Sequence, residues 1–275
     1  MTELRRRISL VGVVHLPPLP GAPRARLSMQ EIVERAVNDA RTYQAGGASA
    51  VIVENFGDVP FHKDSVAAYT VAAMTVVVTA VRSAIDLPVG VNVLRNDAIA
   101  ALSIAAVTGA AFIRVNVHTG ALLTDQGIIE GRAAETLRLR TLLGAKVDIW
   151  SDVLVKHGWP LSPVTLAEAA RETVERGLAD ALIVTGTRTG EPPSPEDVQQ
   201  LRVLFPTVPI YVGSGVTPGR IAAFSPAATG FIVGTWAKSG GVIDQPVDVS
   251  RVQALASAIS VTWEHEQDGN RAPRV

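Results

Sequence analysis

No cysteine occurs among the 275 residues, which excludes disulfides, thiolate zinc sites and a cysteine nucleophile. An excess of charge of either sign is missing too. Lys and Arg number 25 against 26 Asp and Glu, a formal net charge of -1 that argues against a nucleic-acid partner held by bulk charge. No apolar run approaches the roughly 18 residues that a membrane span needs. Arg5-Arg6-Arg7 before Ile8–Val14 imitates a signal peptide, but the apolar stretch is short and runs into His15-Leu16-Pro17-Pro18. A first strand and a cytoplasmic protein are the expectation. His-x-His, His-Glu-x-x-His and Gly-x-x-x-x-Gly-Lys-Ser/Thr are all absent. Gly213-Ser214-Gly215 sets its serine one residue too close to each glycine for a nucleophile elbow. With Gly219 it resembles a dinucleotide fingerprint only loosely, and the ribose-binding acid expected about twenty residues on is missing.

What the chain does contain is alternation. Short β-branched runs at Ile8–Val14, Ser49–Val53, Pro88–Val93, Phe112–Val117, Lys146–Trp150, Asp180–Val184, Pro209–Val212 and Gly230–Val233 are nearly continuous in apolar residues, as strands buried on both faces should be. Helical stripes lie between them, such as Ile32, Val33, Ala36, Val37, Ala40 and Tyr43. Hydrophobic residues make up 47% of the chain, enough for a large core. These patterns predict one closed (β/α)8 barrel over residues 1–275, with a polar, frayed tail from 264 to 275; an open doubly wound sheet is the rival.

Barrel chemistry sits at the C-terminal ends of strands. Reading those ends gives His15, Glu54, Asn92, Asn116, His118, Asp148, Asp152 and Thr185, then two glycine turns. In Phe112–His118, period-2 alternation puts Arg114, Asn116 and His118 on one face. A guanidinium inside a barrel needs a carboxylate, and Glu54 and Asp148 are the expected partners. A purely structural ion pair is the alternative for Arg114. Glu54, Asp148 and His118 are the candidate acid–base groups. His15, Asn92, Arg114, Asn116, Asp152, Lys156 and Thr185 are the candidate substrate contacts. For Lys156, a phosphate partner or a solvated rim lysine competes with imine chemistry.

The stretch Pro209–Pro218 reads as a strand, a Gly213-Ser214-Gly215 turn and a helix capped by Thr217 with Pro218 at its first position. Gly234-Thr235 repeats the turn one strand later. Main-chain amides opened by these glycines form an expected phosphate cradle of Gly213, Ser214, Gly215, Gly234 and Thr235, where such barrels commonly bind phosphate. Tight βα turns with no ligand are the alternative. Long mouth loops at His15–Leu27, Asn55–Ser65, Thr119–Gly131 and Thr185–Pro195 suggest lids, with Gly186 and Gly190 as hinges. Mg²⁺ held by Glu54, Asp148 or Asp152 stays open, since hard cations need only scattered carboxylates; no cofactor is required by any motif. A homo-oligomer is among the states the sequence allows.

Several segments resemble the BtpA/SgcQ family: Val14–Gly21 as VHLPPLPG, Val53–Phe61 as VENFGDVPF, Gly90–Asp97 as GVNVLRND, Arg114–Gly120 as RVNVHTG, Thr124–Gly127 as TDQG, Asp152–His157 as DVLVKH and Val212–Val216 as VGSGV. The resemblance covers nearly the whole chain. It implies a barrel akin to the ribulose-phosphate-binding group and a family name tied to photosystem I assembly or stability. Two functions follow for testing. One is an enzyme on a small phosphorylated ligand, with isomerase, epimerase or aldol-type lyase chemistry. The other is a non-catalytic assembly factor, which has no need for paired carboxylates in a barrel mouth and should instead show a large apolar patch.

Overall fold

Strands buried on both faces and joined by amphipathic helices have few ways to close their edges, and a barrel is the one taken here. The computed structural model describes residues 9–155, 157–186, 192–225 and 227–269. Strands β1 (Leu10–His15), β2 (Ala50–Glu54), β3 (Val89–Asn92) and β4 (Phe112–Val115) are followed by an antiparallel pair, β5 (Ala121–Thr124) and β6 (Gly127–Glu130). Then come β7 (Asp148–Val153), the short β8 (Trp159–Pro160), β9 (Ala181–Thr185), β10 (Ile210–Gly213) and β11 (Gly230–Val233). The closed parallel barrel runs β1-β11-β10-β9-β7-β4-β3-β2, while β6-β5-β8 form a separate small sheet. The fold is therefore the (β/α)8 barrel read from the sequence.

Helices α1 (Met29–Ala45), α2 (Ala68–Ala84), α3 (Ala98–Thr108), α4 (Ala133–Leu142), α5 (Leu166–Arg171), α6 (Pro195–Leu204) and α7 (Val249–Gly269) wrap the barrel. Their starts follow the chemistry of capping. Ser28 with Glu31 and Thr165 with Glu168 close capping boxes, and Ser194 precedes Pro195 at the first helical position. After β10, however, Pro218–Phe224 forms a 3-10 helix instead of an α-helix, and Thr217 caps it without a side-chain bond. Helix α7 continues to Gly269, into the segment expected to fray. The hinge expected at Gly190 lies outside the described residues.

Inside the barrel, one cluster holds Val11, Val13, Ile52, Phe112, Trp150, Ile183, Tyr211 and Ile232. Phe112, Trp150 and Tyr211 stack with centroids 3.8 and 4.1 Å apart, filling the floor. Gly90 makes room for them: a Cβ there would lie 2.2 Å from the Phe112 ring. Two residues further along these strands the inward positions become polar. The barrel thus has an aromatic floor and a polar mouth.

Candidate active site

The inward position after Phe112 is Arg114, and the one after Trp150 is Asp152. Arg114 Nε and Nη2 donate to Asp152 Oδ2 and Oδ1, both at 2.9 Å. On its other side Arg114 Nη1 stands 3.9 Å from Glu54 Oε2, and Glu54 Oε1 lies 3.7 Å from His15 Nε2. Four side chains from β7, β4, β2 and β1 thus form a run across the barrel in which Asp152, Arg114 and Glu54 alternate in charge and His15 stands at the end. Burial alone would strip Arg114 of its proton more easily, but the charge of Asp152, its hydrogen bonds and Glu54 outweigh that and hold the guanidinium above its ordinary range. Asn92 Nδ2 donates to the Arg114 carbonyl at 3.0 Å and to Asn116 Oδ1 at 3.1 Å, setting Asn116 in the mouth.

Above this well opens a cavity of about 910 Å³. Its lining brings His15, Glu54, Arg114 and Asn116 together with Ser214, Gly215, Gly234 and Thr235. The two glycine turns, about twenty residues apart in sequence, therefore share one wall. Ser214 and Gly215 both take left-handed backbone angles, with φ of 71° and 62°. Gly234 approaches the ring of His15 so closely that a Cβ would sit 2.4 Å from Cε1. Gly213 packs beneath the turn against Thr185, which is buried at the end of β9. Neither residue belongs to the cavity lining, and neither do Asn92 and Asp152, which act through the side chains they hold.

Two expected acid–base groups are displaced. Asp148 lies at the start of β7, paired in register with Phe112 on the barrel floor, so it cannot meet a ligand in the mouth. The apolar run ends at Trp150, yet Ser151 and Asp152 stay in the ladder opposite Leu182 and Ile183. The strand is longer than its apolar letters, and Asp152 takes the place expected for Asp148. His118 is also turned away. β4 ends at Val115, and Asn96 grips the main chain of Val117 at both N–H and C=O, at 2.8 and 2.9 Å. The alternation stops there, and His118 Nε2 meets the Gly177 carbonyl at 2.8 Å. Burial pushes the His118 imidazole below its usual range. Lys156 lies outside the described residues.

Other lining residues were not singled out from the sequence as ligand contacts. Arg95, Asp125, Gln126, Trp159, Arg220 and Trp236 all face the cavity. The segment expected as a long loop after Thr119 is a hairpin, with Thr124 paired to Gly127 across an Asp125-Gln126 turn. A polar pair before glycine between two apolar runs is the signal that could have revealed it. Burial lowers the hold of Arg95 on its proton, opposed by the charges of Asp152 and Asp125. Among the described residues no cluster of three or more His, Asp or Glu side chains could hold a metal ion. Glu54 and Asp152 both face Arg114, so an Mg²⁺ ion would have to compete with a guanidinium. No helix among the described residues is long and apolar enough to cross a membrane.

Comparison with known proteins adds to this geometry. The pattern of the BtpA family matches residues 6–261. An uncharacterized protein of Pyrococcus horikoshii is 49% identical over 252 residues, covering 91% of this chain and 95% of that protein. The photosystem I biogenesis protein BtpA of Synechocystis is 45% identical over 251 residues, covering 91% of this chain and 88% of that one. Among solved structures, the (S)-3-O-geranylgeranylglyceryl phosphate synthase of Thermoplasma acidophilum, in complex with sn-glycerol-1-phosphate, superposes with a TM-score of 0.58. The match is 16% identical and covers 94% of this chain and 98% of that one, a likeness of fold.

Proposed function

The chain belongs to the BtpA family, and from that premise we propose that its barrel mouth is the active site of an enzyme acting on a small phosphorylated metabolite. The observation that carries the reading is the shared cavity. A run of buried Asp152, Arg114 and Glu54 with half-buried His15 lies beneath a rim formed by the turns after β10 and β11. The amides near Gly215 and Gly234, with Arg220 beside them, grip the phosphate. That handle leaves the well free for proton transfer. Glu54 and His15 take and return a proton at a carbon next to a carbonyl, while Asn116 and Arg114 steady the negative charge that gathers on its oxygen. Asp152 is a positioning residue that keeps Arg114 in place. Isomerisation, epimerisation and aldol-type cleavage all use this step.

A second reading, a non-catalytic assembly factor, is favoured by the name of the Synechocystis relative. It leaves the carboxylate–guanidinium run without a task, because a scaffold gains nothing from burying charges under an open mouth. The test is a thermal-shift screen against sugar phosphates, nucleotides and prenyl phosphates, with and without Mg²⁺, followed by product analysis for each hit. A hit that the protein converts, and that Glu54→Gln no longer converts, is the expected result. Absence of any hit in all three classes favours the assembly factor.

A further inference from the structure

The rim turn after β11 is held from behind, by buried side chains that do not line the cavity. Helix α1 supplies two of them, Asp39 and Tyr43, four positions apart and therefore on one face. The Tyr43 hydroxyl lies 3.2 Å from the carbonyls of both Val13 and Val233, and Val233 directly precedes Gly234. Gly12 leaves room for the Tyr43 ring, since a Cβ there would stand 2.3 Å from it. At the other end of the turn Lys238 is only 2% exposed, and its Nζ donates to Asp39 Oδ2. Asp39 Oδ1 accepts from the Val247 main-chain N–H at 2.9 Å, so one carboxylate also closes the loop between the bridged residues Lys238 and Val247.

Between these two anchors the turn has little freedom. The Ala237 N–H donates to the Gly234 carbonyl and the Lys238 N–H to the Thr235 carbonyl, both at 3.1 Å. Placing Lys238 therefore places Gly234 and Thr235. Stability alone does not call for an ion pair here. Two buried charges lose their water, and apolar side chains of similar size would fill the space as well or better. What the pair adds is direction. An ammonium sealed from water must reach its carboxylate, which fixes the course of the main chain that carries it, whereas an apolar side chain would accept several.

We propose that Asp39, Tyr43 and Lys238 are positioning residues for the phosphate rim. Helix α1 grips residues 233–238 at both ends and so sets the direction in which the amides of Gly234 and Thr235 point. This rests on the phosphate reading above for what those amides bind, and it adds the device that aims them.

Two near-isosteric changes in the full chain test it. Asp39→Asn combined with Lys238→Met removes both charges while the amide oxygen still accepts from Val247, and Tyr43→Phe removes only the hydroxyl. Amide NMR spectra and isothermal titration with inorganic phosphate compare both variants with the parent. The urea midpoint of the double variant is expected to stay near that of the parent. The Gly234 and Thr235 amide signals are nevertheless expected to shift or broaden, while the Gly215 signal from the other turn holds. Phosphate affinity is expected to fall about tenfold in the double variant and about threefold in Tyr43→Phe. Unmoved Gly234 and Thr235 signals in both variants overturn the positioning role, and so does equal movement of Gly215, the mark of a general loosening. If the double variant fails to fold, Tyr43→Phe decides by the same signals. If the rim signals move but the parent binds no phosphate, or the variants bind it as tightly, the phosphate reading falls and the grip of α1 on the turn stands.

Discussion

Arg114 and Asp152 meet through two parallel hydrogen bonds of 2.9 Å, with the Asp152 side chain wholly hidden from solvent. Such a pair is costly to break from one side. Arg114→Met leaves two buried carboxylates without their guanidinium and is expected to cost about 3–5 kcal/mol of stability. Replacing Asp152 with Leu as well should recover much of that loss. Urea denaturation of the single and double variants checks the prediction; equal losses in both would mean that the pairing contributes little.

Gly234 bears directly on His15. A Cβ at 2.4 Å from the imidazole forces the ring away from Glu54. Gly234→Ala is expected to destabilise by about 1–3 kcal/mol through overpacking. It should also cut turnover of any substrate found in the metabolite screen by about tenfold or more. Chemical denaturation and initial rates measure the two effects separately.

The floor offers a control. Gly90→Ala pushes a methyl group to within 2.2 Å of Phe112 and disturbs the stack with Trp150. A loss of about 1–3 kcal/mol is expected, together with a changed near-UV circular dichroism signal. Affinity for phosphate-bearing ligands should hold, because Gly90 lies on β3, across the barrel from the β10 strand that carries the first glycine turn.

His118 predicts a pH effect on stability. Its pKa in the folded protein is below the ordinary value of 6.5, with burial as the main cause. The unfolded chain therefore takes up the proton first as pH falls. Stability is present above about pH 6.5 and is lost as pH drops from there towards the folded value. Denaturation curves between pH 7.5 and 5 should show a shallower slope for His118→Gln than for the parent chain. Identical slopes would remove His118 as the cause.

The barrel was legible because strands buried on both faces leave long apolar runs, and eight such runs with helical stripes between them admit few topologies. Glu54 and the pairing of glycine turns were legible because each ends an apolar run, and Arg114 because alternation put it on the inward face of its strand. Asp148 and His118 were misplaced because a strand's end is set by hydrogen bonding, which letters do not record. Ser151 and Asp152 stay in the ladder although polar, while Val117 leaves it although apolar, pulled out by Asn96. Arg95 and Trp159 went unread as lining residues because the barrel closure and the pairing of Trp159 with Leu123 of the hairpin bring them to the cavity.

The most direct measurement is a crystal structure of the chain grown with ribose 5-phosphate. The phosphate is expected against the main-chain amides around Gly215 and Gly234, with the sugar over Glu54 and Arg114. A phosphate bound elsewhere on the molecule, with the rim between those two turns holding only water, would contradict the account.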